Sequence, residues 1–190
     1  HLMRVVAIML CMAVAGLQVY IFRRVSDDLR KNHLEGSSGL RAMLASLTDS
    51  GHCKFNDSKG IFEFWNGSKI YLCHCQHEKD MYKYQGAEIH VLLMDELTLF
   101  TEAIYRFLRG RVRLGGLNVP SDYKHKLPLV LCGSNPGNIG HAWVKAMFVD
   151  YAPPMEITRT PAAEGGMLRQ YIPAKLADNP TLAANDPDYE

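Results

Sequence analysis

The sequence lacks an excess of charge of either sign. Its 21 lysines and arginines nearly balance 20 aspartates and glutamates, a formal charge of +1 with eight histidines besides. Such a balance does not point to a dedicated nucleic-acid-coating protein, although a local basic patch is enough for DNA contact. The framework of a small secreted domain is also missing. Five cysteines are an odd number without that spacing, which fits reduced thiols in a cytosolic protein. The group His52, Cys53, Cys73, His74, Cys75, His77 resembles a metal site. However, Cys73 and Cys75 would share one face of a strand while His74 points to the other, and no second pair at ligand spacing completes a set of four. Buried thiols beside solvated histidines are the expectation, with a zinc module as a distant alternative. What is present, 190 residues with 47% hydrophobic and 22% charged, suits one soluble domain with a useful core.

One long apolar run stands out. Met3-Arg4 followed by residues 5–22 has the basic start and length of a signal peptide or membrane anchor, and Ala13-Val14-Ala15 mimics a cleavage site. Gly16 and Gln18 nevertheless divide the run into a helix-length piece and a short β-rich piece, Val19-Tyr20-Ile21-Phe22. The chain opens with His1 rather than Met, so it reads as a fragment. A signal-anchored, non-enzymatic protein remains a distant alternative.

Residues 2–15 read as a helix that is apolar nearly all round, capped by Gly16. A buried strand over 18–22 delivers Arg23 and Arg24 at its end, and Ser26 is positioned to cap a helix with Asp27 and Asp28 in its first turn. Residues 61–65 and 69–73 flank Asn66-Gly67, a two-residue hairpin turn in which both positions need positive φ. A dense apolar strand over 90–94 ends at Asp95, a helix covers 101–113, a buried strand covers 129–132, and a helix covers 142–148. From Tyr151 onwards proline and glycine multiply, with one strand over 168–172. Apolar strands alternating with helices predict an α/β domain with a mainly parallel sheet, where ligands sit beyond the carboxyl ends of strands.

Two strand ends carry the candidate chemistry. Val91-Leu92-Leu93-Met94-Asp95-Glu96 has the form of a Walker B motif. Asp95 would hold the Mg²⁺ of Mg-ATP through water, and Glu96 would orient or deprotonate the water that attacks the γ-phosphate. The plain alternative is a strand that ends in two acidic residues. The run 129–132 leads into Gly133-Ser134-Asn135-Pro136-Gly137, where Ser134 and Asn135 could sense the γ-phosphate or merely form a turn.

Together these features resemble the large terminase subunits of tailed bacteriophages. Further landmarks are Tyr20-Ile21-Phe22-Arg23-Arg24, the hairpin Phe64-Trp65-Asn66-Gly67-Ser68-Lys69-Ile70, Lys83-Tyr84-Gln85-Gly86, Tyr171-Ile172-Pro173-Ala174 and Asp178-Asn179-Pro180. The resemblance implies a RecA-like P-loop ATPase domain over residues 1–176, a mostly parallel central sheet flanked by helices, and a β-hairpin near 61–73. Residues 177–190 would begin a linker to a nuclease domain. It further implies ATP and Mg²⁺ as cofactors, double-stranded DNA, portal protein, small terminase subunit and further copies of the chain as partners, and the host cytoplasm as location, with no membrane. The Ser134-Asn135 loop resembles the family's coupling motif. The sequence departs from the family in having no Gly-x-x-x-x-Gly-Lys-Ser/Thr loop and no acidic nuclease cluster. The loop is therefore expected just before His1, and the fragment alone is expected to hydrolyse little ATP. Arg106, Arg109, Arg111 and Arg113, or Arg23 and Arg24, are candidates for a finger acting on a neighbouring subunit, for DNA contact, or for plain surface charge. A related helicase or other P-loop DNA motor would share both acidic motifs and is the alternative.

Overall fold

The computed structural model describes residues 1–174 and Asp178; the expected linker, Asp178 apart, and the Asn179-Pro180 landmark lie outside the described residues. The long apolar run is divided where glycine divides it. Helix α1 spans Leu2–Ala13, Gly16 takes a φ of +74°, and strand β1 spans Gln18–Arg23. No helix among the described residues is long and apolar enough to cross a membrane.

After β1 come α2 (Ser26–Leu29), a wider helical turn over Arg30–Leu34, α3 (Leu40–Met43) and α4 (Ala45–Asp49). Ser26, expected to cap α2, is its first helical residue instead. Val25 holds the cap position without a side-chain bond, while Asp27 and Asp28 do occupy the first turn. Strands β2 (Cys53–Asn56), β3 (Ile61–Phe64) and β4 (Lys69–His74) form an antiparallel meander.

The hairpin between β3 and β4 turns through three residues rather than two. Phe64 N–H donates to Ser68 O and Gly67 N–H to Phe64 O, and of the Asn66-Gly67 pair Gly67 alone has positive φ, +80°. Asn66 keeps an ordinary φ because its side chain is committed elsewhere. Its Nδ2 donates to Cys11 O at 2.8 Å, tying the hairpin to the last turns of α1.

Strand β5 (Val91–Asp95) leads through a tight turn, Leu97–Leu99, to α5 (Glu102–Arg109), which Thr101 caps by accepting from Ile104 N–H. This helix stops at Gly110 rather than 113, because Val112 leaves to form a parallel bridge with Ile89. Strand β6 (Leu129–Gly133) pairs in parallel with β5.

The sheet order is β2-β3-β4-β1-β5-β6, with parallel pairing from β4 through β6. Strand periodicity sends Val19, Ile21, Val91 and Leu93 into a core shared with Ala7, Cys11 and Val14 of the α1 segment. The opposite face presents Phe22, Leu92 and Met94. There Phe22 meets Tyr84, in the 3₁₀ turn Glu78–Tyr84 on which α5 packs. The 129–132 run, expected as a buried central strand, is the edge of this sheet, and every residue of β6 is only half-buried. An apolar run states which faces a strand can bury, not how many neighbours it has.

Cys73 and Cys75 are buried, and desolvation raises their thiols to about 12 and about 11. His74 beside them is half-buried.

The described residues from 142 onward form a second compact unit, which begins within helix α6 (His141–Val144). It carries a two-residue antiparallel pair, β7 (Thr158–Arg159) with β8 (Leu168–Arg169), shorter than the strand expected over 168–172.

Candidate active site at the carboxyl edge of the sheet

Register brings three strand ends together. Phe22 pairs with Met94, and Asp95 pairs with Gly133, so Arg23, Asp95–Glu96 and Ser134–Asn135 leave the sheet along one edge. Asp95 faces a histidine and an arginine. His33 Nε2 lies 2.9 Å from Asp95 Oδ2 and Arg23 Nε lies 3.1 Å from the same oxygen. The arginine nitrogen is within ion-pair range yet has no aligned hydrogen bond. Burial works to raise the Asp95 pKa, but the hydrogen bond and charge of His33, then the charge of Arg23, outweigh it and hold the carboxyl below its usual value.

Glu96 has φ 56° and ψ 60°, a left-handed conformation that costs a residue with a Cβ about 1–2 kcal/mol. Strain of this kind gathers at functional sites. It swings the carboxylate toward the β6 loop, where Asn135 Nδ2 donates to Glu96 Oε1 at 3.2 Å. Arg23 Nη2 is 3.9 Å from the same oxygen.

A cavity of about 470 Å³ opens beside these groups, lined by the first residues of α1 and by Arg23, Lys31, His33, Asp95 and Glu96 among others. Arg4 Nε, Arg23 Nε and His33 Nδ1 are buried with no hydrogen-bond partner. Two of the three can only donate, so the cavity fits an anionic, oxygen-rich ligand such as a polyphosphate. No group of three His, Cys, Asp or Glu side chains gathers as a metal cage among the described residues. A Mg²⁺ here would depend on Asp95, water and ligand oxygens, which is how Mg²⁺ usually binds with phosphates.

The sequence-derived residues thus divide. Asp95, Glu96, Asn135 and Arg23 meet, and Ser134 sits one residue away. Arg24 turns aside to donate to the backbone carbonyl of Leu99. Arg106 pairs with Glu102 on the exposed face of α5. Arg111 and Arg113 flank Val112, the partner of Ile89, at the amino end of β5. At about 3.3 Å per residue that is about 20 Å from Asp95. The Arg111 guanidinium lies 4.5 Å over the Phe107 ring, and that of Arg109 lies 5.9 Å over Tyr105. Sequence reasoning missed His33 and Thr98. His33 belongs to no motif, and the usable signal was its place in the helical segment that follows a strand of the same sheet.

No family model matches the sequence, and no curated protein matches it. Among solved structures the chain is similar to the large terminase from a thermophilic bacteriophage, with a TM-score of 0.55 and 18% identity over 78% of this chain and 33% of that one. It is likewise similar to the same terminase in complex with ADP, with a TM-score of 0.54 at 18% identity and the same coverage. The chain therefore spans about a third of the terminase it matches. At this identity the likeness establishes the fold, a RecA-like α/β domain with a mostly parallel sheet flanked by helices.

Proposed function

We propose that this chain is part of the ATP-hydrolysing motor domain of a terminase large subunit, which couples Mg-ATP hydrolysis to moving double-stranded viral DNA into a procapsid. The observation that carries this reading is the meeting of Arg23, Asp95–Glu96 and Asn135 at three parallel strand ends, beside a cavity where buried nitrogens of Arg4, Arg23 and His33 make no hydrogen bond. That a terminase of this fold has been solved with ADP supports nucleotide as the ligand.

In this reading residues 1–176 belong to the motor domain and 177–190 lead to a nuclease domain. The phosphate-gripping loop that this reading requires is not among residues 1–190. Bound Mg-ATP supplies the scissile phosphoanhydride and the metal charge that offsets it. Asp95, whose carboxyl His33 and Arg23 hold below its usual pKa, would hold the metal through water. Glu96 orients the attacking water and accepts its proton, while Asn135 fixes the carboxylate it bonds. The nitrogens of Arg4, Arg23 and His33 donate to phosphate oxygens. Arg111 and Arg113, remote from Asp95 and Glu96, and Arg109 at the end of α5 suit delivery to a neighbouring copy in a ring on the portal protein, or contact with DNA. The small terminase subunit is a further partner, and the host cytoplasm is the place of action.

The test is phosphate release by the full-length parent protein carrying Glu96→Gln. Mg-ATP binding should persist while turnover falls by about a hundredfold or more, as losing a general base requires. A rate unchanged by the substitution would remove Glu96 from the chemistry.

A further inference from the structure

The turn after β5 and the loop after β6 are joined through one buried side chain. Thr98 is 2% exposed, in the middle of the turn that Glu96 begins. Its N–H donates to Ser134 Oγ at 3.0 Å, and its hydroxyl donates to Asn135 O at 2.9 Å. The Ser134 hydroxyl donates back to Thr98 Oγ1 at 3.1 Å, and Gly140 N–H donates to Thr98 O at 2.8 Å. One proton assignment satisfies all these groups at once, because each hydroxyl both gives and accepts. A fifth bond closes the ring: Asn135 Nδ2 returns to Glu96 Oε1 at 3.2 Å.

Ser134, Asn135 and Pro136 are all exposed, and beyond them Gly137 N–H donates to His141 Nδ1 at 3.0 Å. The hydrogen bonds that connect Ser134 and Asn135 to the β5 turn end on Thr98 and Glu96. On the other side, Arg24 donates to Leu99 O, so the turn is anchored to the end of β1 as well. The left-handed Glu96 is thereby fixed at both ends: its backbone by the anchored turn, its carboxylate by the Asn135 amide. Thr98 sets the distance between the two.

Resting on the functional reading above, we propose that Thr98 is a positioning residue. It holds the Ser134–Asn135 loop in the register that lets Asn135 orient the Glu96 carboxylate, so that a shift of either loop is passed to the other through its hydroxyl. A merely structural threonine would need only its shape, whereas this role needs the hydroxyl.

Thr98→Val keeps the shape and the N–H but removes the hydroxyl, and Thr98→Ser keeps the hydroxyl. In the full-length protein Thr98→Val should lower kcat for ATP about tenfold or more while KM stays within about threefold, since a misplaced catalytic group weakens the transition state rather than binding. Thr98→Ser should restore most of the rate. In the nucleotide-free 190-residue chain, the Asn135 side-chain NH₂ resonances should shift and exchange faster with solvent in Thr98→Val but not in Thr98→Ser. The melting temperatures of both variants are measured alongside. A Thr98→Val protein with parental kcat and unmoved Asn135 resonances overturns the proposal, as does a rate loss that Thr98→Ser fails to rescue. If the Asn135 resonances behave as expected while the parent protein hydrolyses no ATP, the linkage stands and the functional reading is what fails.

Discussion

Two buried histidines sit at opposite ends of one strand pair and are used differently. At the amino end, His90 has both ring nitrogens engaged: Nδ1 accepts from Gln18 N–H at 2.9 Å and Nε2 faces Glu88 Oε1 at 3.0 Å. At the carboxyl end, His33 meets Asp95 through Nε2 and leaves Nδ1 buried without a partner. The Asn66 turn resembles His90 in this respect, since its amide and the Ser68 hydroxyl are both bonded to the end of α1 or to each other. The cavity resembles His33, with Arg4 Nε and Arg23 Nε also unmatched. A buried polar atom without a partner costs about 1–3 kcal/mol, and a domain tolerates several in one place where a ligand supplies the missing atoms. The amino end is not wholly finished, since Arg111 Nε there is buried and unmatched too, but three such nitrogens gather at the cavity.

The sharpest way to break this contrast is at the carboxyl edge. Ser134→Ala together with Asn135→Ala should leave nucleotide affinity within a few-fold yet abolish ATP-driven DNA translocation into shells in a reconstituted assay, because a switch acts through contacts that differ between two states. Packaging at the parental rate would reduce the loop to a turn. A smaller effect compares the histidines directly. His90→Phe leaves Gln18 N–H without its acceptor and should destabilise the chain by about 1–3 kcal/mol in urea unfolding. His33→Phe should cost less, because it also deletes an unmatched nitrogen and leaves Arg23 facing Asp95. A reversed order would mean that the cavity is part of the scaffold.

The smallest effect concerns Asp80, a carboxylate whose two oxygens are both bonded, to Lys83 Nζ and to His77 N–H, each at 2.9 Å. The hydrogen bond from Lys83, then that from His77, lowers its pKa to about 2. Its folded value is depressed, so its contribution is complete above the ordinary carboxylate range near pH 4 and is lost as the pH falls toward 2. Carboxyl resonances followed by NMR should show Asp80 titrating at about 2, below the ordinary aspartate range. Titration near pH 4 would show that the turn is not ordered in solution.

The sequence made the parallel strands legible because β1 and β5 are apolar on both faces, and a strand buried on two sides has no polar alternation to hide it. That Asp95, Glu96 and Asn135 would leave the sheet along one edge was legible for the related reason that neighbouring parallel strands deliver the residues that follow them to the same side. Three features escaped. The edge position of β6 depends on sheet order, which no local pattern encodes. The three-residue turn depends on Asn66 reaching back to Cys11, a contact far away in sequence. His33 and Thr98 act through partners on other elements, and a threonine or histidine alone carries no trace of what it will face.

The position of β1 also bears on the order in which the chain assembles. It lies between β4 and β5, with Gln18 opposite Lys69 and Val19 opposite Val91. The meander β2-β3-β4 is contiguous and can close through short loops, whereas β1 cannot be seated on both sides until two much later stretches exist. Closing such long loops costs entropy before any contact is gained. During synthesis β1, made before both β4 and β5, would therefore wait for both neighbours. Until then its apolar faces would be exposed, and α1, which packs on it, would wait with it.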